Sequence, residues 1–160
     1  MKAHLRTLLA ALACSAALAA QAGTHAHEHD HHGSEAPQKL QLNASKKWAT
    51  DESLRQAMGT INQAMAAALP GIHKDQFADT DYQGLATTVN QQVAFAVERC
   101  KLEPKADAML HLVIADLLAG AEAMEGKGKL SRHDGATKVL QALQSYGKYF
   151  QHPGWQAARG

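Results

Sequence analysis

Apolar residues recur at intervals of three and four between residues 51 and 150, a spacing typical of helices that bury one face. The most apolar of these segments runs from Cys100 to Glu125. Pro104 suits the first position of a helix, and Gly126 suits the left-handed cap that ends one. We therefore expect this segment to be the central helix of the domain.

Three other apolar stripes predict further helices. Thr80 with Gln83 and Ser131 with Asp134 have the spacing of capping boxes, and Pro70 is expected to break or kink the first helix. The stripes place these helices at about Asp51 to Leu69, Thr80 to Arg99 and Ser131 to Gln151. Short connections between helices of this length predict an antiparallel up-down-up-down four-helix bundle. The aromatic content of only 5% also favours an all-α fold over a sheet.

The N-terminus has the features of a secretory signal peptide. Lys2 and Arg6 precede an apolar run of residues 8–20, and Ala20-Gln21-Ala22 offers the small residues that signal peptidase reads. The run is too short and too rich in alanine for a transmembrane helix. We expect residues 1–22 to be removed and the mature protein to be periplasmic.

Cleavage there would leave 14 basic and 15 acidic residues, a balance that argues against binding to nucleic acid or to an anionic membrane. Cys14 would leave with the signal peptide, because Ala11-Leu12-Ala13 before it is a poor lipid-attachment motif. Cys100 would then be the only thiol. In an oxidising compartment a single cysteine is buried, free and reactive, linked to another chain, or bound to metal.

Residues 23–38 form a polar tail that we expect to be disordered without metal. Five imidazoles lie within eight residues, with Glu28 and Asp30 between them: His25, His27, His29, His31 and His32. Imidazole is the commonest side-chain ligand for copper, zinc and nickel, so the tail is predicted to bind these ions. The alternative interpretation is a soluble spacer.

Cleavage after Ala22 would create a second metal-binding motif at the new terminus, Gly23-Thr24-His25. The free amine, two backbone amides and the His25 ring could then supply four nitrogens in a plane, the geometry that Cu(II) and Ni(II) prefer. Residues 39–49 follow as a linker expected to pack on the domain through Trp48, and residues 50–160 are assigned to the bundle.

A further candidate site lies in the predicted interior. Met58, Cys100, Met109, His111 and Tyr146 fall near one layer at the end where the first and third helices start. Thiolate and thioether ligands select Cu(I), and His111 could complete such a set with Cys100. However, His111 lies roughly one turn deeper than Cys100, and ordinary core packing is the alternative for each residue.

Two other histidines, His73 and His133, fall at the opposite end of the bundle, where we expect an exposed pair. The sequence lacks the GxSxG, HExxH and CxxC motifs and a phosphate-binding glycine loop, so we expect no enzymatic activity.

The bundle resembles the periplasmic four-helix-bundle cytochromes of the cytochrome c-prime and soluble cytochrome b type. The resemblance covers residues 50–152 and includes Leu54-x-x-x-Met58-x-x-Ile61-Asn62. It implies a secreted bundle in which Met58 takes the place of an axial haem ligand. The matching histidine of the last helix is represented only by His152 at its end. No CxxCH motif exists, so covalent haem is excluded and bound haem is not expected. The segment C-K-L-x-P-x-A-D-x-x-L-H is also similar to that of small uncharacterised secreted proteobacterial proteins.

The sequence thus predicts a periplasmic protein that buffers, senses or delivers copper, zinc or nickel. One alternative is a haem-binding or electron-transfer bundle that uses Met58 and His152. Another is a structural or adaptor bundle that presents a helix face to a periplasmic protein partner.

Overall fold

The structure is a computed structural model that describes residues 39–159. Over these residues the chain is all-helical, with four helices: α1 (Glu52–Ile72), α2 (Asp79–Arg99), α3 (Pro104–Met124) and α4 (Arg132–Tyr149). The β-bridges in this part of the chain are two isolated ones, Asn43 with Lys46 and Trp48 with Phe150. The predicted all-α fold with four helices is confirmed for residues 39–159.

The boundaries of α3 and the start of α4 follow local signals in the sequence. Pro104 is the first residue of α3, and Gly126 follows its end with a φ of +83°. Ser131 caps α4, because its Oγ accepts a hydrogen bond from the Asp134 N–H at 3.0 Å. The Ser131 hydroxyl also donates to the Asp134 carboxylate at 2.7 Å. Both predicted helix starts are confirmed.

Helix α1 is longer than predicted, because Pro70 does not end it. Pro70 lies in the last turn, where its missing N–H removes one intrahelical hydrogen bond and leaves the rest of the helix intact. The helix continues to Ile72, and the N–H of His73 donates to the Leu69 carbonyl at 2.9 Å.

Helix α2 starts before the predicted capping box. Its N-cap is Ala78, whose N–H donates to the Asp81 carboxylate at 3.0 Å. The predicted pairing of Thr80 with Gln83 is therefore wrong, because the chain has already turned into the helix at Asp79. Negative charge in the first turn favours this earlier start.

The ends of the helices show that neighbours run in opposite directions. Asp51, the N-cap of α1, accepts a hydrogen bond at 2.5 Å from the N–H of Lys101, just beyond the end of α2. At the other end, the Arg132 guanidinium donates to the Met124 carbonyl at 2.6 Å, which joins the start of α4 to the end of α3. The four helices surround one apolar core, and the buried side chains of residues 39–159 that carry an N–H or O–H group are those of Trp48, Tyr82 and Tyr146.

Helices α3 and α4 approach most closely at two glycines. A Cβ atom on Gly135 would lie 2.7 Å from the Gly120 carbonyl oxygen and 2.8 Å from the Met124 nitrogen. A Cβ atom on Gly120 would lie 2.7 Å from the Gly135 carbonyl oxygen. The backbones occupy the space of a side chain at this crossing, so only glycine fits without a shift of a helix.

The segment before α1 packs against the end of α4. Trp48 is 5% exposed, and its backbone N–H donates to the Tyr149 carbonyl at 2.8 Å. The Trp48 carbonyl accepts from the Gln151 N–H at 2.8 Å, and Trp48 forms a parallel bridge with Phe150. These backbone contacts of a buried residue tie the segment before α1 to the end of α4.

The segment after α4 returns across α1. The Asn62 side chain donates to the Gln156 carbonyl at 2.9 Å and accepts from the Ala158 N–H at 2.7 Å. Asn62 therefore satisfies two backbone groups of the C-terminal segment. The length and apolarity needed to cross a bilayer are found in none of the four described helices.

Candidate functional site

The histidine tail lies outside the described residues, together with the Gly23-Thr24-His25 motif. Metal binding by His25, His27, His29, His31 and His32 therefore stays a prediction. The structure does show where the other predicted site residues lie, namely Met58, Cys100 and His111.

Cys100 caps the C-terminus of α2 at the end of the bundle where α1 begins. Its N–H donates to the Ala96 carbonyl at 2.8 Å, and its half-buried side chain packs against the core. The neighbouring carboxylate of Asp51 accepts from the N–H groups of Leu54 at 2.8 Å and Lys101 at 2.5 Å. The thiol thus lies beside the carboxylate that joins α1 to α2.

The surroundings of Cys100 keep its thiol protonated. Burial raises the pKa of Cys100, and the negative charges of Asp51 and Asp107 raise it further. The thiolate is the form that attacks electrophiles and binds metals. In the protein alone, Cys100 therefore has the chemistry of a packing residue, and an ion that bound there would have to displace the thiol proton.

His111 lies on the solvent face of α3, and its predicted place beside the core is wrong. Its side chain is 63% exposed, whereas Leu110 and Val113 are buried. The His111 Nδ1 lies 2.9 Å from the Asp107 carbonyl oxygen and 3.4 Å from the Asp107 carboxylate, one helical turn away. The reason is the helical period, which puts residue 111 on the same face as the 41% exposed Leu118.

The other members of the predicted layer are buried in the core. Met58 is 2% exposed, Met109 is 4% exposed and Tyr146 is fully buried. His111 points away from this layer, so the expected grouping does not form. Within residues 39–159, no group of three or more His, Cys, Asp or Glu side chains could hold a metal ion.

A polar and aromatic cluster, which the sequence did not reveal, joins α4 to the C-terminal segment. The Tyr146 hydroxyl lies 3.0 Å from the His152 Nδ1, and the Trp155 ring meets Tyr146 edge-on with centroids 4.8 Å apart. Burial raises the pKa of Tyr146. Burial, followed by the positive charge of Arg55, lowers the pKa of His152. The pair is therefore neutral at pH 7, and one hydrogen bond joins the hydroxyl to the ring nitrogen.

This cluster bears on the predicted haem ligands. His152 already uses one ring nitrogen for Tyr146, and Met58 lies in the packed core. His152 therefore has a hydrogen-bond partner, and Met58 is surrounded by core side chains. Sequence spacing did not indicate the contact between Tyr146 and His152, because the chain leaves the helix between them.

At the opposite end of the bundle, His73 and His133 are exposed as predicted. The structure adds that both line one cavity of about 390 Å³ between α1 and α4. Its floor includes Ile72 and Leu140, and Gln141 is among the polar residues of its wall. This cavity forms where two helices that are far apart in the sequence pack together, so no local sequence motif predicts it.

No protein-family model, curated protein or solved structure matches this chain. The resemblance to the four-helix-bundle cytochromes therefore remains a prediction from the sequence.

Proposed function

We propose that the protein is a periplasmic metal-binding protein that buffers, senses or delivers copper, zinc or nickel through its histidine tail. The observation that carries the proposal is the density of imidazoles, five within residues 25–32. Glu28 and Asp30 add carboxylate oxygens between them. Ligands this close in sequence can meet around one ion without a preformed cavity, since a short chain can fold around it.

The ligand chemistry sets an order of affinity among the ions. Nitrogen and oxygen ligands favour Cu(II) over Ni(II) and Zn(II) in the general order for divalent metals. Adjacent histidines can supply their nitrogens in several combinations, so availability in the compartment would decide which ion is carried. If Gly23 is the mature terminus, the Gly23-Thr24-His25 motif would strengthen the preference for Cu(II) and Ni(II) through a planar set of nitrogens.

Protonation should release the metal. Imidazole binds metal only in its neutral form, and its unperturbed pKa is about 6.5. We therefore expect tight binding at pH 7.5 and progressive release as the pH falls below about 6.5. This range lies close to neutrality, so modest acidification would unload the tail.

The test compares the full mature chain with a five-histidine variant, in which His25, His27, His29, His31 and His32 are replaced by Asn. The variant keeps the length of the tail and both carboxylates. After equilibrium dialysis against Cu(II) or Zn(II) at pH 7.5, the native chain should hold at least one more ion than the variant. Equal metal content in the two proteins would overturn the proposal.

The compartment is tested separately. Cell fractionation followed by N-terminal sequencing of the mature protein should find it in the periplasm with Gly23 as its first residue. A protein retained in the cytosol with Met1 intact would refute the proposed export.

A non-catalytic adaptor is the second candidate, and one observation favours it. Three apolar side chains are exposed on or beside the helices: Val97 at 60%, Leu130 at 50% and Leu118 at 41%. Single exposed apolar side chains are common on protein surfaces, but several together can mark a surface that a partner protein covers. If the native chain binds neither Cu(II) nor Zn(II), substitution of Val97 and Leu118 by Lys becomes the informative experiment, with partner capture as its measurement.

A further inference from the structure

The cavity between α1 and α4 brings together two histidines that are 60 positions apart in sequence. His73 directly follows α1, and His133 is the second residue of α4. In an antiparallel pair the end of one helix lies beside the start of the other, so the two residues meet at the same end of the bundle. The cavity that they share measures about 390 Å³.

The backbone holds both positions firmly. The N–H of His73 closes on the Leu69 carbonyl at 2.9 Å, and the next turn is fixed by the Gln76 N–H donating to Gly71 at 2.9 Å. On the other side, the Arg132 guanidinium bonds the Met124 carbonyl at 2.6 Å and lies 3.1 Å from the Asp79 carboxylate. The positions of both Cα atoms are thus set by contacts that do not involve the imidazoles.

The imidazoles of His73 and His133 have no hydrogen-bond partner within residues 39–159. Of the four histidines in residues 39–159, His111 and His152 form side-chain hydrogen bonds, whereas His73 and His133 form none within that part of the chain. Both are exposed and line the same cavity, and each ring is free to adopt other staggered rotamers. Thr137 and Gln141 add neutral oxygen groups to the wall.

The lining of the cavity offers no charged side chain that competes with a metal ion for the two imidazoles. The residues that line it include no carboxylate and no lysine or arginine, so neither imidazole is drawn into an ion pair there. The C-terminal end of α1 attracts a cation, while the N-terminal end of α4 repels one, and the two effects oppose each other. Affinity must therefore come from coordination, which favours the borderline ions that imidazole binds best.

We infer that His73 and His133 form a second metal site, which binds one divalent ion of the Cu(II), Ni(II) or Zn(II) class through two neutral imidazoles. Water or the oxygens of Thr137 and Gln141 complete the coordination. This site is independent of the histidine tail, so it stands or falls separately from the proposed function. With two protein nitrogens it binds more weakly than a cluster of five.

The test uses the full chain with the five-histidine tail variant as background, so that only ions bound by the bundle are counted. At pH 7.5 this background should retain one Zn(II) or Cu(II) per chain. Adding His73→Ala and His133→Ala together should remove that ion, and each single substitution should weaken binding at least tenfold. The matched control is His111→Ala, which removes another exposed imidazole and should leave the count at one.

A second measurement locates the ion. Substoichiometric Cu(II) broadens NMR signals of nearby amides, so those of residues 71–74 and 133–137 should weaken first. Broadening centred on residues 107–111, or the absence of any bound ion in the tail variant, would overturn the inference. So would an unchanged ion count in the His73→Ala, His133→Ala protein, whose thermal unfolding curve confirms that it is folded.

Discussion

Replacing Gly135 by Ala tests the packing of α3 against α4, on which the bundle geometry depends. The added Cβ would lie 2.7 Å from the Gly120 oxygen and 2.8 Å from the Met124 nitrogen. Both atoms belong to the backbone, so no side-chain rotation relieves the contact and the helices must move apart. Overpacking of this kind costs about 1–3 kcal/mol.

The helical preference of alanine acts in the opposite direction. Gly→Ala in a helix interior gains about 0.8–1.0 kcal/mol. Because the clash is with backbone, we take the upper part of the overpacking range and expect Gly135→Ala to lose about 2 kcal/mol net. With a urea m-value of about 1–3 kcal/mol/M, the unfolding midpoint should fall by roughly 1 M.

The control is Gly84→Ala in α2, where a Cβ would meet nothing within 4 Å. Only the propensity gain operates there, so the midpoint should rise by the equivalent of about 1 kcal/mol. Urea unfolding followed by circular dichroism measures both variants. If Gly135→Ala is as stable as the native protein or more stable, the close approach of α3 and α4 is refuted.

Three further predictions concern Asp51, Asn62 and His152. Burial is the largest cause of the raised pKa of Cys100, and the Asp51 charge adds to it. Asp51→Asn keeps an N-cap acceptor but removes that charge, so iodoacetamide should alkylate the thiol faster at pH 8; an unchanged rate would contradict the contribution of Asp51. Asn62→Ala removes two hydrogen bonds worth about 1–3 kcal/mol together, so the Ala158 amide should exchange faster in deuterium oxide, and unaltered protection would show that Asn62 does not hold the segment. The third prediction is a dependence on pH. Because the pKa of His152 is lowered in the folded protein, the unfolded chain binds the extra proton, and stability should fall as the pH drops below about 6.5. His152→Gln should flatten that part of the stability curve, and a curve identical to the native one would count against burial and the Arg55 charge as the causes of the lowered pKa.

Local signals predicted much of the fold. Pro104 and Ser131 start their helices because each acts on its own backbone, without help from distant residues. Pro70 was read correctly as a disturbance and wrongly as the end of a helix, since a proline in the last turn removes only one hydrogen bond. Packing of the last turn against the core then extends the helix to Ile72, which is 4% exposed.

The contacts that the sequence did not reveal are all non-local. Asn62 looked like part of a cytochrome-like pattern in the first helix, but its side chain holds the C-terminal segment. His152 pairs with Tyr146 only because the chain turns back after α4. His111 was misplaced because it was grouped with the core residues by its level along the bundle, and a shift of one residue along a helix turns a side chain by about 100°.

The candidate sites divide in the same way. The imidazoles of the tail are visible in the sequence because they are adjacent, and no fold is needed to bring them together. The cavity shared by His73 and His133 exists only when α1 and α4 pack, so it becomes visible in the structure. Cys100 lies between these cases, because its position is visible in the sequence, whereas its raised pKa depends on burial and on the charges of Asp51 and Asp107 in the fold.

The most direct test of metal binding by the tail is nitrogen NMR of the imidazole side chains in the full mature chain during a Zn(II) titration. We expect the first equivalent of Zn(II) to shift the ring-nitrogen signals of His25, His27, His29, His31 or His32. The ring-nitrogen signals of His152, which is hydrogen-bonded to Tyr146, should stay unshifted. If the signals of the tail imidazoles remain unshifted after a full equivalent of Zn(II), the histidine tail does not bind the metal and the proposed function is contradicted.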